Sequence, residues 1–168
     1  MTSSLQRYIR EIPDFPKPGI LFRDITPLLR DHLFETTRQL SGLLSPDEWA
    51  SIDVVAGIEA RGFILGAALA AQQSKGFVPI RKEGKLPPPV VRASYTLEYG
   101  DSTLEMQSGH GRVLIVDDVL ATGGTMTAAA NLVVQAGYEV QALIALIDLN
   151  IVPDYRWNEH ALKALLRY

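Results

Sequence analysis

Apolar runs recur along this chain, and most of them end in a polar, glycine-bearing loop followed by a stretch with helical spacing. Residues 113–116 are an unbroken run of Val, Leu, Ile and Val; Asp117 and Asp118 follow, then a loop through Thr122, Gly123, Gly124 and Thr125, then an Ala-rich stretch to residue 135. A continuous run of this kind is the pattern of a strand buried on both faces of a parallel sheet. The unit reads as strand, polar loop and helix, with the helix ending near Gly137. The same order recurs upstream, with an apolar strand over 52–56, a loop from Gly57 to Gly62, a helix over 63–73 and a strand over 77–80. Residues 140–149 read as another buried strand. Repeated alternation of this kind predicts an α/β fold, a mostly parallel sheet with helices on both faces.

Other stretches break the rhythm. Ser3, Ser4, Leu5 and Gln6 carry the elements of a capping box, and Leu5, Tyr8, Ile9 and Ile12 keep helical spacing up to Pro13, which predicts an opening helix. Three prolines and Gly19 between Asp14 and Pro27 forbid a helix there and predict a stiff, irregular loop. Helical spacing resumes at Asp31 and runs to about Leu44, and Ser45, Pro46 and Glu48 open a short helix. Beyond the prolines at 87–89, residues 93–99 and 102–106 alternate with a period of two across Gly100 and Asp101, predicting a hairpin. Leu162, Leu165 and Leu166 give residues 158–168 the spacing of a final helix.

At 168 residues and 47% hydrophobic, the chain is expected to form a single domain, 1–168, with a substantial core. It has no 18-residue apolar span and no secretion leader, so no membrane association is expected. The absence of cysteine removes disulfides and thiolate metal sites and agrees with a cytoplasmic location. A formal net charge of −3, with both signs scattered, leaves no basic stripe for nucleic acid.

Candidate chemistry gathers on the loops. The backbone N–H groups of Ala121, Thr122, Gly123, Gly124 and Thr125, at a helix start, suit a phosphate-sized anion. Asp117 and Asp118 cannot favour the same anion; their partners are neutral hydroxyls or a cation. A ligand with a phosphate at one end and sugar hydroxyls beside it fits both halves. Neither the P-loop pattern nor the dinucleotide G-x-G-x-x-G is present. Arg61, inside the second glycine-bounded loop, suits a second and more highly charged phosphate group, with a surface ion pair as the alternative. Arg81, Lys82 and Lys85 could bind pyrophosphate or form a solvated charge run. On local pattern alone, Phe22 reads as a loop anchor and Glu98 as the solvent side of a strand.

Taken together, the stretches 15–27, 61–63, 81–87, 94–100 and 116–126 resemble the adenine phosphoribosyltransferases of the type I phosphoribosyltransferase family. The resemblance implies a central, mostly parallel sheet flanked by helices, with a small hood and a β-hairpin flap. It implies transfer of a 5-phosphoribosyl group from phosphoribosyl pyrophosphate to adenine, giving AMP and pyrophosphate in purine salvage. Mg²⁺ is the implied cofactor, held mainly by substrate phosphates, and the implied assembly is a homodimer. By the same resemblance, residues 121–125 hold the 5′-phosphate, and Asp117 and Asp118 take the ribose hydroxyls. Glu59, Ala60 and Arg61, with a cis Glu59-Ala60 peptide, bind pyrophosphate, with Lys82 and Lys85 assisting from a mobile loop. Phe22 stacks on adenine while the backbones of Leu21 and Arg23 read its edge. Glu98 contacts N7 of the base, and Tyr99 lies beside the reacting centre. Glu59, an acid among phosphate ligands, is expected to be neutralised by Mg²⁺ or Arg61. Two other readings share the phosphate loop: an enzyme for an oxopurine, and a non-catalytic sensor of phosphoribosyl pyrophosphate.

Overall fold

The computed structural model describes residues 4–97 and 100–168. A 3-10 turn, Ser4–Tyr8, leads into β1 (Arg10–Ile12), which pairs antiparallel with β2 (Phe22–Asp24). There follow α1 (Thr26–Ser41), α2 (Pro46–Ala50), β3 (Val54–Ile58), α3 (Arg61–Gln72), β4 (Gly76–Lys82), β5 (Val91–Leu97) and β6 (Gly100–Met106). The chain continues with β7 (Arg112–Leu120), α4 (Gly124–Gln135), β8 (Glu139–Asp148), β9 (Arg156–Trp157) and β10 (His160–Arg167).

Eight strands form the main sheet in the order β5-β6-β4-β3-β7-β8-β10-β9. Its centre, β4-β3-β7-β8-β10, is parallel, and antiparallel strands finish both edges. The run at 113–116 explains the layering. Val113 and Ile115 face a core built with Met126, Ala129 and Leu132 of α4, while Leu114 and Val116 face one built with Leu28 and Leu40 of α1 and Leu65 and Leu69 of α3. All four strand residues are fully buried, as a strand covered by helices on both sides must be.

The structure corrects four local expectations. The opening segment is a single 3-10 turn followed by β1, because residues 10–12 find a strand partner in Phe22–Asp24, reinforced by the Arg10–Asp24 ion pair. Ser3 of the expected capping box lies outside the described residues. The helix expected from Asp31 begins at Thr26. Pro27 sits in its first turn, where a missing N–H is harmless, and Asp24 accepts from the Thr26 N–H at 2.9 Å. Its backbone departs from helical geometry at His32, beside the point where the apolar spacing restarts. Gly100 and Asp101, expected to turn the hairpin, already lie in β6, opposite Leu97 and Thr96. The final helix is instead β10, parallel to β8. Leu162 and Leu166, four apart, satisfy helical and strand periods alike, and the open edge of β8 decides between them.

Candidate active site

The site forms where β7 delivers its polar end between the starts of α3 and α4. β7 runs through the acid pair, so Asp117 and Asp118 are strand residues, each only 8% exposed. The Asp118 N–H donates to Asp117 Oδ1 at 2.8 Å. Burial, together with the adjacent Asp118 charge, pushes the Asp117 carboxyl well above the usual carboxylate range. α3 packs closely here because Gly62 has no side chain: a Cβ would lie 2.9 Å from the Val116 carbonyl oxygen and 3.2 Å from Asp117 Oδ1.

Arg61, the first residue of α3, ties the two halves of the site together. Its Nη2 stands 2.5 Å from Asp118 Oδ2, its Nη1 donates to the Arg23 carbonyl at 3.2 Å, and its guanidinium lies 5.0 Å from the centre of the Phe22 ring. Arg61 therefore neutralises Asp118 rather than Glu59. The Glu59 carboxylate is taken by Arg81, whose Nε lies 3.1 Å from Oε2, so of the two neutralising partners expected for it, Arg61 is engaged elsewhere. The Glu59-Ala60 peptide is cis, as the resemblance implies.

The helix starts divide by location. α2, away from the site, carries a complete capping box from Ser45 and Glu48. α3 and α4 have no side-chain cap, so their first turns lack a side-chain acceptor of their own. At α4 the capping residue is Gly123, with φ of +84°, a left-handed conformation that suits glycine. Tyr155 closes the back of this loop: a Cβ on Gly123 would lie 2.4 Å from its ring, and its hydroxyl is 2.7 Å from Thr127 Oγ1. Residues 119–126 enclose a cavity of about 100 Å³.

A second cavity, of about 160 Å³, lies between the 20–23 loop, Arg61, Val119 and Leu149. Leu21, Phe22 and Arg23 all line it. Phe22 is braced edge-on by Phe15 at 5.1 Å. Val119, one residue beyond the acid pair, lines both cavities, so the 119–126 cavity and a largely apolar slot adjoin across one side chain. A larger hollow of about 530 Å³ lies beside Ser41, Trp49 and Gln73 and contains none of the candidate site residues.

Lys82 closes β4 opposite Leu104, and Lys85 lies in the following turn; both are exposed. That turn is held by Glu105, a fully buried carboxylate that accepts from the N–H groups of Lys85 and Leu86, each at 2.7 Å, and faces Arg92 at 3.4 Å. These backbone donors, that of Leu86 foremost, hold its carboxyl below the usual range. Val119, Leu149, Tyr155 and Glu105 were missed from the sequence. Glu105 alone left a trace there, as a charge between Leu104 and Met106. Glu98 and Tyr99 lie outside the described residues.

The family of the phosphoribosyl transferase domain matches residues 32–158. A curated adenine phosphoribosyltransferase from Bdellovibrio bacteriovorus is 48% identical over 165 residues, covering 98% of this chain and 99% of the relative. The chain belongs to the adenine phosphoribosyltransferase family. The Thermoanaerobacter pseudethanolicus adenine phosphoribosyltransferase structure aligns with a TM-score of 0.89 at 41% identity, over 98% of both chains. That of Saccharomyces cerevisiae, complexed with an imino-altritol bisphosphate and adenine, aligns with a TM-score of 0.83 at 32% identity, over 96% of both. The domain match includes both helix starts, Arg61 and the acid pair; residues 20–24 lie outside it and are covered by the Bdellovibrio bacteriovorus relative. The fold is that of the type I phosphoribosyltransferases, a mostly parallel sheet with flanking helices and a small antiparallel hairpin sheet.

Proposed function

We propose that this chain transfers the 5-phosphoribosyl group of phosphoribosyl pyrophosphate to N9 of adenine, releasing AMP and pyrophosphate. The observation that carries the reading is the shared wall at Val119, which sets an anion cradle beside an apolar slot with two buried acids one step away. A ribose phosphate bearing a planar base has these three parts in the same order.

The 5′-phosphate accepts hydrogen bonds from the backbone N–H groups of Ala121, Thr122, Gly123, Gly124 and Thr125. Asp117 and Asp118 accept from the ribose 2′- and 3′-hydroxyls, and these neutral donors replace Arg61 on Asp118. The released guanidinium is then available for pyrophosphate, beside the Glu59-Ala60 peptide and with Lys82 and Lys85 alongside. Adenine lies on Phe22, with its edge read by the Leu21 and Arg23 backbones. As the bond from C1′ to pyrophosphate breaks, the sugar carbon becomes electron-poor and oxocarbenium-like. The adenine N9 lone pair forms the new bond to C1′ as pyrophosphate leaves with its bonding pair, and the proton the base gives up passes to the Glu98 carboxylate. Glu98 holds or moves a proton at N7, and Tyr99 lies beside the reacting carbon. The hairpin acts as a flap that keeps water from intercepting C1′.

Mg²⁺ fits the donors present, since Asp117 and Asp118 are hard oxygen donors. The ion would be carried mainly by the substrate phosphates, with these two acids close by. When bound it neutralises pyrophosphate and improves it as a leaving group. The chain is read as one domain acting as a cytoplasmic homodimer.

The test is AMP formation from phosphoribosyl pyrophosphate and Mg²⁺, with adenine, hypoxanthine, guanine and xanthine offered separately. Turnover of adenine alone is expected. Turnover of an oxopurine instead would overturn the base reading, and binding of phosphoribosyl pyrophosphate without turnover of any purine would overturn catalysis.

A further inference from the structure

β2 carries Phe22 and Arg23, yet among the described residues it pairs only with β1 and joins no ladder of the main sheet. Its attachment to the sheet therefore depends on side chains, and Arg23 is central to it. The Arg23 guanidinium lies 3.9 Å from the centre of the Tyr168 ring and 3.5 Å from the Glu11 carboxylate. Its side chain is only 14% exposed, and its Nε is buried with no hydrogen-bond partner. A cation so short of hydrogen bonds and water relies on the electron-rich ring face more than an exposed one does. Tyr168 is itself fixed to the sheet, because its N–H donates to the Asp148 carbonyl at 3.0 Å. Asp148 ends β8, and the next residue, Leu149, lines the cavity that Phe22 borders.

We infer that Tyr168 is a positioning residue for the base pocket. Its ring face holds the Arg23 guanidinium and so fixes β2 against the end of β8, setting the width of the slot between Phe22 and Leu149. The inference rests on assigning that slot to the base. Tyr168 does not line that slot and acts through Arg23. The energy of a partly desolvated cation over an aromatic ring corresponds to a roughly five- to tenfold effect on base binding.

The experiment measures steady-state kinetics for Tyr168→Phe, Tyr168→Leu, Arg23→Met and Phe22→Leu, varying adenine and phosphoribosyl pyrophosphate in turn. Tyr168→Phe keeps the ring face and is expected to hold the adenine KM within about twofold of the parent. Tyr168→Leu fills similar space without a ring face, and is expected to raise that KM about five- to tenfold with kcat and the phosphoribosyl pyrophosphate KM little changed. Arg23→Met removes the cation but keeps its stem, and should reproduce the shift even if Tyr168→Leu fails to fold. A raised adenine KM in Phe22→Leu alone would overturn the tether while leaving the base pocket intact. No change in any variant would overturn the base assignment and this inference with it. Equal rises in both KM values with a lowered Tm would reduce Tyr168 to a packing residue and overturn its positioning role.

Discussion

Arg61 Nη2 stands 2.5 Å from Asp118 Oδ2, while the neighbouring Asp117 is buried with its carboxyl pushed up. Arg61 thus pairs with Asp118, and Asp117 bears the unrelieved share of burial and repulsion. Such groups are kept where function needs them at a cost in stability.

Asp117→Asn should separate those two demands. The amide oxygen can still accept from the Asp118 N–H, but the buried charge is gone. The unliganded variant is expected to gain about 1 kcal/mol, or roughly 2–4 °C in Tm for a chain of this size. Binding of phosphoribosyl pyrophosphate should weaken by about tenfold or more as a charged acceptor is lost. The parent should also show the matching pH trend. With its native pKa above the unfolded value, Asp117 takes up a proton on folding at intermediate pH, so its destabilising contribution grows as pH rises through the native pKa. Calorimetry with and without ligand checks both effects; a destabilised apo variant would contradict the electrostatic account.

The sequence made the centre of this fold legible because its strongest signals are local. The 113–116 run, the acid pair, the two glycines and the Ala-rich helix lie within one continuous stretch, and the structure keeps that order. What escaped was set by partners distant in sequence. β1 became a strand through Phe22–Asp24, and β10 through the open edge of β8. Glu105 reads as an ordinary strand glutamate until the 85–86 backbone folds onto it from some 20 positions away. Tyr155 gives no local sign that its ring will pack behind Gly123, and Val119 and Leu149 look like any apolar strand residues. The resemblance supplied the base loop at residues 21–23, for which periodicity offered only an anchor.

Glu105→Gln should loosen the turn that carries Lys85. The carboxylate accepts two backbone N–H groups and faces Arg92, and the amide would accept more weakly and turn donors toward that cation. Amide exchange at Lys85 and Leu86 is expected to speed up by about tenfold, and the KM for phosphoribosyl pyrophosphate to rise a few-fold. The native pKa of Glu105 lies below its ordinary value of 4.5. Its stabilising contribution is therefore present above that value and lost as pH falls through the native pKa. Protection at the two amides should decline with acidification in the parent and stay flat in the variant. Equal profiles in both would remove Glu105 as the latch.

Gly123→Ala tests the phosphate cradle. The residue has φ of +84°, and an added Cβ would meet the Tyr155 ring at 2.4 Å. Left-handed geometry costs an alanine about 1–2 kcal/mol, and displacing a ring hydrogen-bonded to Thr127 adds to it. A fall in Tm of roughly 5–10 °C is expected, with at least about tenfold weaker binding of phosphoribosyl pyrophosphate and of inorganic phosphate. Titration of the folded variant below its Tm reads the binding loss directly. Unaltered phosphate affinity there would move the 5′-phosphate away from this loop.

Glu98→Gln addresses chemistry rather than binding. Glu98 follows a strand whose residues alternate across the sheet, and nothing in that alternation calls for a carboxylate at this position. The proton balance of the reaction does, since N9 can attack only as the base gives up a proton. Glutamine keeps the size and the hydrogen-bonding reach but cannot take or give that proton at neutral pH. General acid-base groups of this kind contribute about 100- to 10,000-fold, so kcat should fall by at least about 100-fold. The dissociation constant for phosphoribosyl pyrophosphate should stay within about twofold, because the residues proposed to hold its phosphate and ribose lie on other elements. Single-turnover measurement of AMP formation, beside calorimetric titration of phosphoribosyl pyrophosphate, separates the two. A kcat near that of the parent would remove Glu98 from the proton path and leave the acid pair and phosphate loop untouched. Parallel loss of binding and turnover would instead make Glu98 a determinant of the closed flap.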